Sequence, residues 1–149
     1  MKIIFLDIDG VLVRRKQYVE KIRRPNGFPE FDPVCVENLK CILNNTGAKL
    51  VISSTWRNNN IDIMKEWFFN DCGLGEYIVG VTPNLDAIRG DEIKQYIKNV
   101  KIDNSLNIDK LIFIDDDTDM GSLLPYLVQT NFIDGLTKQI AEIAILKLE

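Results

Sequence analysis

Two aspartates one residue apart, Asp7 and Asp9, end the apolar run Ile3 to Leu6 and are followed at once by Gly10. Such a short β-branched and aromatic run reads as a strand buried on both faces. Side chains alternate along a strand, so both carboxylates are expected on one side of its C-terminal end. Carboxylates held that close repel each other unless a cation lies between them or one keeps its proton. Taken alone, Asp-x-Asp-Gly is also compatible with a plain acidic turn, so the later stretches decide. Lys49-Leu50-Val51-Ile52 runs into Ser53, Ser54, Thr55, Trp56 and Arg57. Leu111-Ile112-Phe113-Ile114 runs into Asp115, Asp116, Asp117, Thr118 and Asp119. Arg89 and Lys94 supply further cations. Clustered hard oxygen donors suit Mg2+. Hydroxyls and cations facing such a metal make a phosphate site. An aspartate can serve there as nucleophile, and a second one as general acid and base. Phosphoryl transfer needs little else beyond positioning and charge neutralisation.

The elements that must position these groups are legible in outline. Ile78-Val79-Gly80-Val81 reads as a further strand, and Tyr126 to Thr130 as a shorter one. Asp32-Pro33 starts a helix with an acidic N-cap and proline at the first position. Val34, Leu39, Ile42 and Leu43 form its stripe, and Gly47 ends it. Residues 61–71 read as a helix with Ile61, Met64, Trp67 and Phe68 inward, closing at Gly73, after a polar break at Asn58 to Asn60. Another helix opens at Arg89, with Ile93, Tyr96, Ile97 and Val100 on its apolar side. The last is capped by Thr137 and turns Ile140, Ala144 and Leu148 inward. Alternating strands and helices predict an α/β fold, a Rossmann-like parallel sheet with helices on both faces. Ligands bind such sheets beyond the carboxyl ends of the strands. Parallel strands would bring Asp7/Asp9, Ser53/Ser54 and Asp115/Asp116 together there.

Composition narrows the chemistry. The chain has 149 residues, three cysteines and no histidine. A histidine-based triad, a Cys-His pair and histidine-ligated zinc are excluded. Cys35, Cys41 and Cys72 are odd in number and lack framework spacing, which points to free thiols in a reducing compartment. No run approaches the roughly 20 apolar residues of a membrane span, and acids interrupt the N-terminal run too early for a signal peptide. A cytoplasmic protein is expected, with residues 1–149 forming one domain.

The four stretches, in order, resemble the motifs of the haloacid dehalogenase (HAD) superfamily. They are Phe-Leu-Asp7-Ile-Asp9-Gly-Val, Leu-Val-Ile-Ser53-Ser54, Arg89-Gly-Asp-Glu-Ile and Ile-Phe-Ile-Asp115-Asp116. Ser-Ser-Thr-Trp-Arg, Arg-Gly-x-Glu-Ile and the late Gly-Leu-Thr further resemble the small HAD domains associated with Swiss Army knife RNA-repair proteins. They are also similar to the phosphatase part of polynucleotide kinase-phosphatases. The resemblance implies a phosphomonoester hydrolase. In it Asp7 attacks phosphorus, and Asp9 protonates the leaving oxygen and then activates water. Ser53, helped by Ser54, binds the phosphoryl oxygens, and Arg89 neutralises the transferring group. Mg2+ is held by Asp7, the backbone carbonyl of Asp9 and Asp115, with Asp116 nearby. Many members carry lysine where this chain has Arg89, so Lys94 is the alternative cation. Asp119 is a further candidate metal carboxylate, and Arg57 a candidate substrate contact.

Residues 13–32 form a basic flap after the first motif. Between Arg14 and Arg24 lie Arg14, Arg15, Lys16, Lys21, Arg23 and Arg24 against Glu20 alone, a local charge of +5 in a chain of net charge −4. Neither this segment nor the one after Ser53 has room for a substantial cap domain. The expected pocket is open, and the flap would attract a polyanion such as an RNA or DNA end. The alternatives are a phosphatase of small nucleotides and a non-catalytic phosphate-binding module. Trp67 and Phe68 are expected in the core, whereas for Trp56, in a loop at a strand end, base stacking stands as an alternative to core packing.

Overall fold

The computed structural model describes residues 1–56 and 60–149. Five parallel strands form one sheet in the order β3-β2-β1-β4-β5. They are β1 (Lys2–Leu6), β2 (Lys49–Ile52), β3 (Ile78–Val81), β4 (Lys110–Asp115) and β5 (Leu127–Gln129). The helices are α1 (Arg15–Val19), α2 (Pro33–Thr46), α3 (Ile61–Met64), α4 (Arg89–Asp103) and α5 (Lys138–Leu148).

The apolar runs are continuous because both faces of the sheet are covered. Ile4, Leu6, Leu50, Ile52, Ile112 and Ile114 pack with α2, α3 and α5. Their neighbours Ile3, Phe5, Val51 and Phe113 face the other way, toward Ile93 of α4 and Met120. This is the expected α/β architecture, and it fixes the site. β1 lies between β2 and β4, with Leu6 beside Ile52 and Ile114. The residues that follow, Asp7, Ser53 and Asp115, therefore emerge at one edge. The switch in strand order between β1 and β4 opens the crevice there.

Local chemistry explains the helix ends. The Asp32 carboxylate accepts from the backbone N–H of Val34 and Cys35, and Gly47 closes α2 with φ of 68°. Thr137 caps α5 by accepting from Ile140 N. Asn60, the described part of the polar break, caps α3.

Several expectations are corrected. Trp67 is 47% exposed, whereas Phe68 and Phe69 are fully buried. The reason is that α3 passes at Lys65–Phe69 into a wider π turn. One extra residue per turn rotates the later side chains away from α-helical phase. Val34 is exposed too, and Cys35 and Val36 take its place in the stripe of α2. Tyr126 belongs to the 3-10 turn before β5 rather than to the strand. The flap is not uniformly solvated. It carries the short helix α1 and an antiparallel bridge between Arg23 and Pro29, and it buries Gln17. Among the described residues, no helix is long and apolar enough to cross a membrane.

Candidate active site

Asp7 is the first residue past β1, and its N–H donates to Ile114 O at 3.0 Å. Ser53 N donates to Leu6 O at 2.8 Å, which sets Ser53 beside Asp7. Asp115 ends β4. Arg89, the first residue of α4, reaches across from the other layer. Its Nη1 lies 3.4 Å from Asp7 Oδ1 and 3.2 Å from Asp115 Oδ2. Asp119 holds the start of that helix in place, accepting from Arg89 N through Oδ2 at 3.2 Å. Gly90 permits this docking, because a Cβ there would lie 2.1 Å from the Met120 carbonyl oxygen.

The carboxylates of Asp7, Asp115 and Asp116 each offer an oxygen, and these lie within 4.8 Å of one another. Burial lifts the Asp7 carboxyl well above the ordinary range, and the charge of Asp115 adds to this while Arg89 opposes it. Burial lifts Asp115 likewise, again against Arg89. Asp116 is pushed up to about 6, by burial first and then by Asp115. Among the described residues, three acids share one guanidinium, so the cluster is short of positive charge. Burial works against the Arg89 cation, but Asp7 and Asp115 outweigh it and hold it charged. A divalent cation fits this donor set, which is all hard oxygen. Gly10 makes the approach of Asp116 possible. It has φ of 80°, and a Cβ there would stand 2.3 Å from Asp116 Cγ. Thr130 fastens the same loop by donating from Oγ1 to Gly10 O at 2.6 Å.

Asp9 stands apart from this cluster. The pattern placed Asp7 and Asp9 side by side, but β1 ends at Leu6, and the Asp9 carboxylate turns to other partners. Tyr18 donates from its hydroxyl to Asp9 Oδ1 at 2.5 Å, and Trp56 donates from Nε1 to Asp9 Oδ2 at 2.8 Å. The close carboxylate partner of Asp7 is Asp115.

Some buried polar atoms lack partners. Among the described residues, Ser53 Oγ, Arg89 Nη1 and Asp119 Oδ1 make no hydrogen bond. The Arg89 contacts to the two acids are therefore ion pairs without good hydrogen-bond geometry. A buried donor without a hydrogen-bond partner costs about 1–3 kcal/mol, so Ser53 Oγ and Arg89 Nη1 are placed to gain from an oxygen-rich ligand.

The remaining candidates divide clearly. Ser54 is fully buried, and its Oγ accepts from Trp56 N at 3.2 Å, which shapes the loop after β2. Lys94 is exposed, and five residues beyond Arg89 it lies roughly 140° around the helix from it. The structure thus places Arg89, and not Lys94, at the carboxylates. Asp119 serves the α4 start rather than joining the three-acid cluster. Arg57 lies outside the described residues. Of the flap cations, Arg14 pairs with Asp32 at 2.8 Å. Arg24 pairs with Asp71 at 3.1 Å and sits 4.5 Å over the Phe31 ring. Both are committed to the fold, whereas Arg15, Lys16, Lys21 and Arg23 are exposed. Sequence reasoning missed Tyr18, and no local signal in the aperiodic flap marks it.

A model of the HAD domain in Swiss Army Knife RNA repair proteins matches residues 3–141. A solved structure described as a HAD superfamily (subfamily III A) hydrolase from Legionella pneumophila is 17% identical, with a TM-score of 0.52. The alignment covers 99% of this chain and 84% of that one, and at this identity it shows the shared fold. A comparison with curated proteins found no match.

Proposed function

The chain belongs to the family of HAD domains in Swiss Army Knife RNA repair proteins, and on that premise we propose that it is a magnesium-dependent phosphatase of nucleic acid ends. The observation that carries the reading is the juxtaposition, beside Asp7, of Ser53 Oγ, buried without a hydrogen bond, and Arg89 Nη1, ion-paired to Asp7 and Asp115 but with no hydrogen bond made. A phosphoryl group there would take a hydrogen bond from each. Its charge would meet the Arg89 guanidinium, which can hold phosphate with more than one N–H.

In the proposed reaction an Asp7 carboxylate oxygen attacks phosphorus, and the bond to the leaving oxygen breaks. Asp9 gives that oxygen its proton. Asp9, now ionised, takes a proton from water as the water oxygen attacks the aspartyl-phosphate. Inorganic phosphate leaves, and Asp7 and Asp9 return to their starting states. Asp7, Asp115 and Asp116, with the Asp9 backbone carbonyl, would hold Mg2+. The ion supplies charge neutralisation for the transferring phosphoryl group. Ser53 and Arg89 fix the phosphoryl oxygens, and Asp119 positions Arg89 through its backbone.

The flap supports the substrate class. Arg15, Lys16, Lys21 and Arg23 remain exposed in a protein of net negative charge, which favours a polyanion on this side. A phosphate-release assay with and without Mg2+ on oligonucleotides phosphorylated at either end, beside small phosphate esters, tests the proposal. Preference for oligonucleotide ends that weakens with salt is expected. Equal turnover of small esters with no salt dependence would remove the nucleic acid part.

A further inference from the structure

The flap carries more than charge. Tyr18 and Trp56, the donors to Asp9 among the described residues, also border one cleft of about 410 Å³, together with Arg23, Asn26 and Phe28. Phe28 stands near the end of the Arg23–Pro29 bridge, 36% exposed, with its ring centroid 5.0 Å from that of Trp56. We propose that this cleft is the leaving-group subsite and takes the nucleobase of the terminal nucleotide.

The inference rests on the phosphatase reading, in which Asp9 protonates the leaving oxygen. That role places the first atoms of the leaving group at Asp9. The cleft walled by the two side chains bonded to Asp9 is then where the leaving group continues. Tyr18, Phe28 and Trp56 give it aromatic walls, which suit a planar ring. An exposed phenyl beside an indole gains by covering its face with another π surface. The polar groups are at hand for the rest of a nucleotide. Asn26 accepts from Phe28 N through Oδ1, which leaves its side-chain NH2 free to meet a base edge. Arg23 uses Nη1 on Gly27 O at 3.1 Å, and its other N–H groups can meet a backbone phosphate. A phosphopeptide would present a ring only by chance of sequence, whereas each nucleic acid end presents one beside its phosphate.

The test uses two oligonucleotides that differ only at the terminal phosphorylated nucleotide, one bearing a base and one abasic. Stacking on aromatic side chains typically changes binding by roughly five- to hundredfold per base. The native protein should therefore favour the base-bearing end by at least about fivefold in kcat/KM. That ratio should fall toward one in Phe28→Ala and in Phe28→Leu, the second keeping apolar packing without a ring. A native ratio of one overturns the subsite, as does a ratio unchanged in a folded Phe28 variant. Tryptophan fluorescence titration of Asp7→Asn with the same two oligonucleotides gives a reading independent of turnover. Tighter binding of the base-bearing end supports the subsite, and equal binding overturns it. Phosphate release from neither oligonucleotide would sink the phosphatase reading while the titration still decides the cleft.

Discussion

Trp56 donates its indole N–H to Asp9 Oδ2 at 2.8 Å, across 47 positions of chain. An indole nitrogen can only donate, whereas the Tyr18 hydroxyl on Oδ1 can donate or accept. The pair therefore sorts the two oxygens of Asp9. Oδ2 is held as an acceptor, and Oδ1 is the oxygen whose partner tolerates a proton. Trp56→Phe should free the carboxylate to rotate and impair proton delivery to the leaving oxygen. General acid–base catalysis contributes about 10²–10⁴-fold, so a loss of about tenfold or more in kcat is expected on alkyl phosphates. Aryl phosphates with acidic leaving groups need little protonation and should lose far less. A plot of rate against leaving-group pKa, native against variant, checks this. Parallel lines would mean that Trp56 serves packing alone.

The three-acid cluster predicts stabilisation by Mg2+. At a metal concentration 100-fold above its dissociation constant, linkage gives about 2.7 kcal/mol. For a chain of this size that corresponds to a rise in Tm of roughly 5–10 °C. Asp115→Asn should leave a folded protein whose Tm no longer responds to Mg2+. An equal shift in the variant would place the ion elsewhere.

Gly10 should tolerate no side chain. Gly10→Ala would hold alanine at a φ of 80° and drive its Cβ against Asp116. Left-handed strain of this kind costs of order 1–3 kcal/mol. Because Asp116 must give way, the variant should also lose part of the Mg2+ response measured above. A thermal melt with and without Mg2+ separates the two effects, and an unchanged Mg2+ shift would exclude the coupling.

Asp32 ties the flap to α2 and predicts a pH effect on stability. It accepts from Arg14 at 2.8 Å, from Gln17 at 3.2 Å and from two backbone N–H groups. Burial alone would raise its pKa, but Arg14 and the other donors outweigh that and bring it below the usual 3.8. A depressed carboxyl stabilises the fold when ionised. Its contribution is therefore complete above about pH 4 and is lost as pH falls through the lower folded value. Asp32→Ala should cost about 1–3 kcal/mol at pH 7, from the lost cap and the unpaired Arg14. The difference from the native protein should shrink in acid below pH 4. Denaturant melts at a series of pH values test this, and a gap that stays constant in acid would contradict it.

The sheet was readable because residues 3–6, 50–52 and 112–114 are buried on both faces and need no alternation. Their ends then forecast the meeting of Asp7, Ser53 and Asp115. Trp67 was not readable, since a π turn shifts helical phase without any residue that announces it. The choice between Arg89 and Lys94 depends on helix phase relative to the sheet, which the motif spacing does not contain. Tyr18 was hidden for a different reason. Its contact with Asp9 depends on how an aperiodic flap folds back over β1, and the same fold-back consumes Arg14 and Arg24 that charge counting had assigned to substrate.

The central claim is that Asp7 carries the phosphoryl group, and acid-quenched intact mass analysis during turnover tests it most directly. The account predicts one phosphoryl group on the native chain, with none on Asp7→Asn and no phosphate released by that variant. Phosphate release by Asp7→Asn at the native rate would contradict it.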